Sequence, residues 1–284
     1  MPPRLIINAD DFGLTRGINR AIAELYRAGA LTSTTLMATG PAFDDAVALA
    51  QTLPGLGVGC HVVLVDGTPA SLPSEIPTLL GSDKRTFRLT LGSFVRDLLL
   101  GRIDQAEIAC EALAQIRHLQ QAGIRVTHAD THKHTHLFPT VARPLIEVLE
   151  QTGIRTLRNP FEPEFARRVS PSPLLRRAQI AVLNRFQPAF LRLAQNARTT
   201  QGSLGVAATG TLDAPTLRRL LQSLPHEGTF ELVCHPGYND ADLGRVRTRL
   251  RAHRETEYHA LLSEIPRALT LPNPPRLIHY GELS

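Results

Sequence analysis

Short apolar runs of four to six residues recur along the chain, each followed by a polar turn and then by a segment with apolar residues at helical spacing. Residues 4–10 (RLIINAD) predict a buried strand through their β-branched content, and 17–28 predict a helix. Residues 31–39, 55–65, 125–130, 154–160, 228–236 and 275–281 predict further strands. Helices are expected over 42–53, 105–122, 140–153, 215–224 and 243–263, while 68–88 is Pro-rich and irregular.

Strands that alternate with helices of this length imply parallel βαβ units. Six or seven of them favour an α/β fold of the distorted (β/α) barrel type, TIM-like, over an open sheet. The placement of the polar residues supports the barrel. Asp10 and Asp11, His61, Asp130 to His136, and His235 all fall at the C-terminal ends of expected strands, the rim where barrels collect their chemistry. The whole of residues 1–284 reads as one domain, with an arginine-rich amphipathic helical excursion at about 165–205.

Composition narrows the class of function. Three cysteines, Cys60, Cys110 and Cys234, have neither metal nor disulfide spacing, which fits a reducing compartment. No apolar run reaches the roughly 20 residues a bilayer span needs, so a cytoplasmic protein is expected, with peripheral membrane contact through the excursion. The formal charge of +5 does not point to nucleic acid, because there is no Trp and only four Tyr to stack on bases. Its arginines are concentrated instead. From Arg167 to Arg198 there are seven, with no acidic residue, interleaved with Leu, Ile, Val and Phe.

Four of the eleven histidines lie in THADTHKHTH, residues 127–136. Five polar side chains on one face are too many for a buried strand, so the strand should stop near Asp130 and the rest should be loop and helix start. Several imidazoles at a strand end point to metal binding or proton transfer. In NADDFG (8–13), consecutive strand residues point to opposite sides, so the two aspartates should differ in role or surroundings. His61 and His235, each alone in an apolar strand, read by themselves as satisfied core residues. Together these pieces supply one carboxylate and two imidazoles for a divalent ion, with a second carboxylate and a separate histidine left over as base and acid.

LIINADDFGLTRGINRAI, GALTSTTLM, GVGCHVVLV, THADTHKHTHLFPTV and ELVCHPGY resemble, in order and context, the YdjC/ChbG-like carbohydrate deacetylases, from residue 4 to about 240. The resemblance implies a barrel related to the polysaccharide deacetylases and one divalent ion, magnesium or else zinc. It implies Asp11, His61 and His132 as ligands, Asp10 as general base and His235 as general acid. Asp130 would hold a ligand imidazole, and His134 and His136 would contact substrate or brace the loop. Lys133 interrupts the three adjacent histidines seen in many relatives. The implied reaction removes an N-acetyl group from an amino sugar and releases acetate.

SLPSEIPTLL, RNPFEPEF and the arginine-rich segment resemble the hopanoid-biosynthesis-associated branch of that family, which implies an N-acetylglucosaminyl lipid as substrate. A soluble chitooligosaccharide is the second choice, and a homodimer is compatible with either. Two other classes compete: a metal-dependent phosphoesterase or sugar isomerase on the same barrel, and a non-enzymatic protein that binds membranes or anions.

Overall fold

A computed structural model describes residues 2–170 and 174–283. Among the described residues seven strands, β1 (Arg4–Phe12), β2 (Ser33–Leu36), β3 (Gly57–Val62), β4 (Val126–Thr131), β5 (Ser203–Leu204), β6 (Thr229–Cys234) and β7 (Arg276–Leu277), form one parallel sheet. Its order is β4-β3-β2-β1-β6-β5, with β7 paired to the start of β1 beside Arg4 and Leu5. Helices α1 (Arg16–Arg27), α2 (Phe43–Gln51), α3 (Leu91–Leu99), α4 (Gln105–Gln121), α5 (Pro139–Thr152), α6 (Glu164–Val169), α7 (Leu174–Leu183) and α8 (Gln187–Leu193) come before the last third of the chain. That third adds α9 (Ala214–Gln222), α10 (Ala241–Arg245) and α11 (Ala252–Ala268).

The expected barrel is present as a curled half-barrel. Residues 154–160, read as a full strand, make only single bridges, Ala129 to Leu157 and Thr156 to Arg198. These bridges tie the segment to β4 on one side and to Arg198, ahead of β5, on the other. Pro160 and Pro163, which cannot donate to a ladder, end the segment early.

Alternation along the strands gives the sheet two unlike faces. Leu5, Ile7 and Ala9 of β1, Val58, Cys60 and Val62 of β3, and Phe230, Leu232 and Cys234 of β6 belong to the large core shared with the helices. Their neighbours Asn8, Asp10, His61 and Glu231 are equally buried but polar. Below them Ile6, Ile278, Tyr280 and Leu283 form a small separate apolar cluster.

Other expectations need correcting. The helix read over 243–263 is two helices, α10 and α11. Four arginines alternate through RVRTRLR with β-branched Val246 and Thr248, and Arg251 turns back to donate to the carbonyls of Leu243 and Val246. Helix α3 and strand β5 were not anticipated. The arginine-rich excursion forms α6, α7 and α8 with two 3-10 turns, and its residues 171–173 lie outside the described residues. Among the described residues no helix is long and apolar enough to cross a membrane.

Candidate active site

Backbone irregularity places the two adjacent aspartates. Between Ala9 and Phe12, strand β1 spends one residue more than β2, and Asp11 adopts a left-handed φ of 66°. This bulge turns Asp11 toward the same interior as Asp10, which corrects the expectation of opposite sides. A similar register shift occurs where β4 pairs with β3, between Val58 and Cys60. Strand β4 ends at Thr131, as expected, and His132–Leu137 wind into a 3-10 turn ahead of α5. Within that turn Lys133 (φ 57°) and His134 (φ 53°) are also left-handed, at a cost of roughly 1–2 kcal/mol per residue. Lys133 pairs with Asp66 at 2.8 Å.

Three of the expected residues converge. Asp11 Oδ1 lies 3.6 Å from His61 Nε2 and 3.4 Å from His132 Nδ1, and the two nitrogens are 3.2 Å apart. Asp11 Oδ1 is buried without a hydrogen-bond partner among the described residues. Ligands about 2.1 Å from a common ion sit roughly 3.0–3.4 Å from one another, so this triangle has the size of one face of a coordination sphere. His61 Nδ1 donates to Asp130 Oδ1 at 2.7 Å, which leaves Nε2 for the ion. The donor set therefore fits a divalent cation. Asp10, His61 and Asp130 make a second group of ligand atoms within reach of one another, but Arg158 already occupies both of those carboxylates.

Arg158, fully buried, is the hub of the interior. It donates to both oxygens of Asp10 at 2.9 and 2.7 Å, to Glu231 at 2.7–3.1 Å, and contacts Asp130 Oδ2. Tyr280 closes the floor by donating to Glu231 Oε2 at 2.5 Å. Burial alone would raise the Asp10 carboxyl, but Arg158, His61 and His235 hold it far below the usual range. Asp11 is likewise held well below that range against burial, chiefly by Arg254, whose Nη2 is 2.6 Å from its Oδ2. His61 resists burial because Asp130 and Asp10 flank it, and it is pushed up to about 9. Counting Asp10, Asp11, Asp130, Glu231 and Glu257 against Arg158, Arg254 and a protonated His61, the described residues of the pocket have two more acidic than basic side chains. That surplus attracts a cation.

His235 stands between two carboxylates. Its Nε2 is 3.8 Å from Asp10 Oδ2 and its Nδ1 is 3.9 Å from Glu257 Oε2, while its backbone N–H donates to Glu257 at 2.6 Å. His132 and His235 keep 19% and 12% of their side-chain surface exposed, against 1% for His61, so they are the more solvent-accessible members of the group.

The remaining histidines of the run do other work. His136 bridges Thr131 Oγ1 (2.7 Å) and the Arg158 carbonyl (3.2 Å), bracing the turn. His128 stacks on Tyr280 with ring centroids 3.8 Å apart, next to Asn8 Oδ1. It needs Gly59 opposite, where a Cβ would come within 2.5 Å of its ring. His134 Nδ1 is buried without a hydrogen-bond partner among the described residues. Burial pushes His128 and His134 down to about 3 and His136 to about 4, so all three are neutral.

Sequence reasoning missed Arg158, Glu231, Arg254, Glu257 and Tyr280. Arg254 and Glu257 sit in HRETEYH, within the helix expected over 243–263, and are buried there while His253, Thr256 and His259 are exposed. Arg158 joins Asp10, 148 residues away, and Arg254 joins Asp11, 243 away, separations at which no local spacing gives a signal.

The YdjC-like protein family matches residues 4–270. A chitooligosaccharide deacetylase of Salmonella typhimurium is 33% identical over 83% of this chain and 82% of its own length. A carbohydrate deacetylase of Thermoanaerobacter pseudethanolicus is 30% identical over 89% and 88%. A carbohydrate deacetylase of Brevibacillus brevis is 38% identical over a shorter stretch, 52% of this chain and 56% of its own length. Among solved structures, a putative cellobiose-phosphate cleavage protein from Enterococcus faecalis superposes over all of both chains with a TM-score of 0.80 at 24% identity, which speaks to the fold.

Proposed function

The chain belongs to the YdjC-like protein family, and on that premise we propose that it is a divalent-metal-dependent hydrolase that removes the N-acetyl group from an amino sugar and releases acetate. The observation that carries this reading is the unpartnered Asp11 Oδ1 facing His61 Nε2 and His132 Nδ1. Relatives named as carbohydrate and chitooligosaccharide deacetylases supply the reaction class.

Asp11, His61 and His132 would hold the ion, which when bound supplies a water of lowered pKa and polarises the acetamide carbonyl. Asp10, kept ionised and fixed in direction by Arg158, takes the proton of the attacking water. His235, 3.8 Å from Asp10, protonates the leaving nitrogen so that it departs as a neutral amine, since an unprotonated amide nitrogen leaves poorly. Asp130 keeps His61 turned so that Nε2 faces the ion. Magnesium is the ion implied by the resemblance. Zinc is the alternative that two imidazoles and one carboxylate favour.

We place an N-acetylglucosaminyl lipid ahead of a soluble chitooligosaccharide. A cavity of about 490 Å³ lies where α6 and α7 meet the turn after β5, with Glu164 among its lining residues. Arg167, Arg168 and Arg177 line it beside Ile180 and Ala207. Val182 and Leu191 are exposed on the same excursion, a cationic and apolar surface suited to peripheral contact with a lipid layer.

The test is acetate release from an N-acetylglucosaminyl lipid in micelles and from chitooligosaccharides, with and without EDTA. Release that stops with EDTA and returns with added divalent ion is expected. Release that is insensitive both to EDTA and to Asp10→Asn would overturn the reading, and preference for the soluble sugar would overturn the lipid assignment alone.

A further inference from the structure

Helix α11 reaches the site from the far end of the chain with two buried charged side chains one turn apart. Glu257 meets His235, and Arg254 meets Asp11. We propose that Arg254 is a positioning residue for the ion: it occupies Asp11 Oδ2, restricts that carboxylate to the single ion-facing oxygen Oδ1, and thereby sets the affinity and coordination of the site. The inference rests on Asp11, His61 and His132 being the ion's ligands.

Asp11 needs an external anchor. It sits on a bulge with a left-handed backbone, an arrangement that surrounding contacts must hold in place. Arg254 Nη2 donates to Oδ2 at 2.6 Å, while Oδ1 has no hydrogen-bond partner. Arg254 is itself fixed, being 1% exposed, with Nε donating to the Leu250 carbonyl at 3.1 Å. The turn after β6 makes way for its stem. A Cβ on Gly237 would lie 2.8 Å from Ile18 Cγ1 and 3.2 Å from Arg254 Cδ. A guanidinium can brace Leu250 and Asp11 together, whereas an ammonium in its place has one head for two distant acceptors.

The opposite expectation follows if Arg254 merely adds charge. A positive charge beside a cation weakens binding, so removing it would tighten the site. Positioning predicts loosening, and predicts it even when the charge is kept.

The experiment is titration of EDTA-stripped full-length protein with Co2+, followed by calorimetry and by the visible d–d absorption, which responds to coordination number. Wild type is expected to bind one Co2+. Arg254→Lys and Arg254→Met are expected to lose about 10–100-fold in affinity, the usual effect of losing a partner of a metal ligand, and to change the d–d intensity as Oδ2 becomes available. Arg254→Lys retains the charge and most of the stem, so it carries the test if Arg254→Met fails to fold. Affinity in Arg254→Lys equal to wild type or tighter overturns this inference alone. Wild type that binds no divalent ion overturns both the inference and the ligand assignment beneath it.

Discussion

The two faces of the sheet are equally buried and built on opposite principles. The face toward the helices is aliphatic, with Leu5, Ile7, Val58, Cys60, Phe230 and Leu232 fully or nearly fully buried. The inner face carries Asn8, Asp10, Thr35, His61, His128, Asp130, Arg158 and Glu231, none more than 2% exposed. Apolar burial is non-directional and tolerant of detail, which suits a scaffold. Buried charge is tolerated only where every partner is in place, which suits a site whose geometry must not vary.

The comparison breaks most visibly at Arg158. Arg158→Met leaves Asp10, Asp130 and Glu231 without their shared cation, and urea unfolding should show a loss of about 3–5 kcal/mol, the range for breaking a buried ion pair from one side. A loss below about 1 kcal/mol would mean that the carboxylates simply take up protons.

On the other face, Leu232→Ala should cost about 2–5 kcal/mol through the cavity it leaves. Its effect should stay in stability: the folded fraction should keep the wild-type kcat. A fall in kcat as large as that of an inner-face variant would erase the distinction between the faces.

Smaller effects sharpen it. Glu257→Gln keeps the shape next to His235 but loses the anion, and kcat should fall roughly tenfold with KM little changed, less than the roughly 10²–10⁴-fold that a general acid itself contributes, because His235 stays in place. Unchanged kcat would make Glu257 a structural acceptor for the His235 backbone only.

The neutral inner-face histidines also predict an acid limb. His128 and His136 titrate near 3 and 4 in the folded chain and near 6.5 when unfolded, so their contribution is present above about pH 6.5 and is lost as pH falls toward 4. Each adds about 1.4 kcal/mol per pH unit to the slope of stability in that window. His61 acts in the opposite direction, but its contribution is complete below 6.5 and leaves that slope alone. In metal-stripped protein, His128→Gln should flatten the limb by about one such increment, and an unchanged slope would show that His128 is already charged in the fold.

The same division explains what could be read in the sequence. Strands β1, β3, β4 and β6 stood out because their outward residues are β-branched or aliphatic runs, and the chemistry stood out because Asp10, Asp11, His61 and His235 interrupt those runs at strand ends. The polar inner face as a continuous network was not legible. Its members meet across separations such as Arg158 to Asp10 and Tyr280 to Glu231, and they alternate one by one with core residues. Nor was the bulge that aims Asp11, since Asp-Asp-Phe-Gly carries no sign of which residue will take a left-handed φ. Arg254 and Glu257 fall in the helix expected over 243–263, where nothing in the local sequence separates them from its exposed charges.

The central claim is that the ion's ligands come from three separated strand ends and not from the histidine run alone. Metal content by plasma mass spectrometry tests it directly, on wild type and on single alanine variants after reconstitution and desalting. Wild type, His134→Ala and His136→Ala should retain one divalent ion per chain, while Asp11→Ala, His61→Ala and His132→Ala should retain almost none. An ion that survives Asp11→Ala but is lost from His134→Ala and His136→Ala would contradict the account.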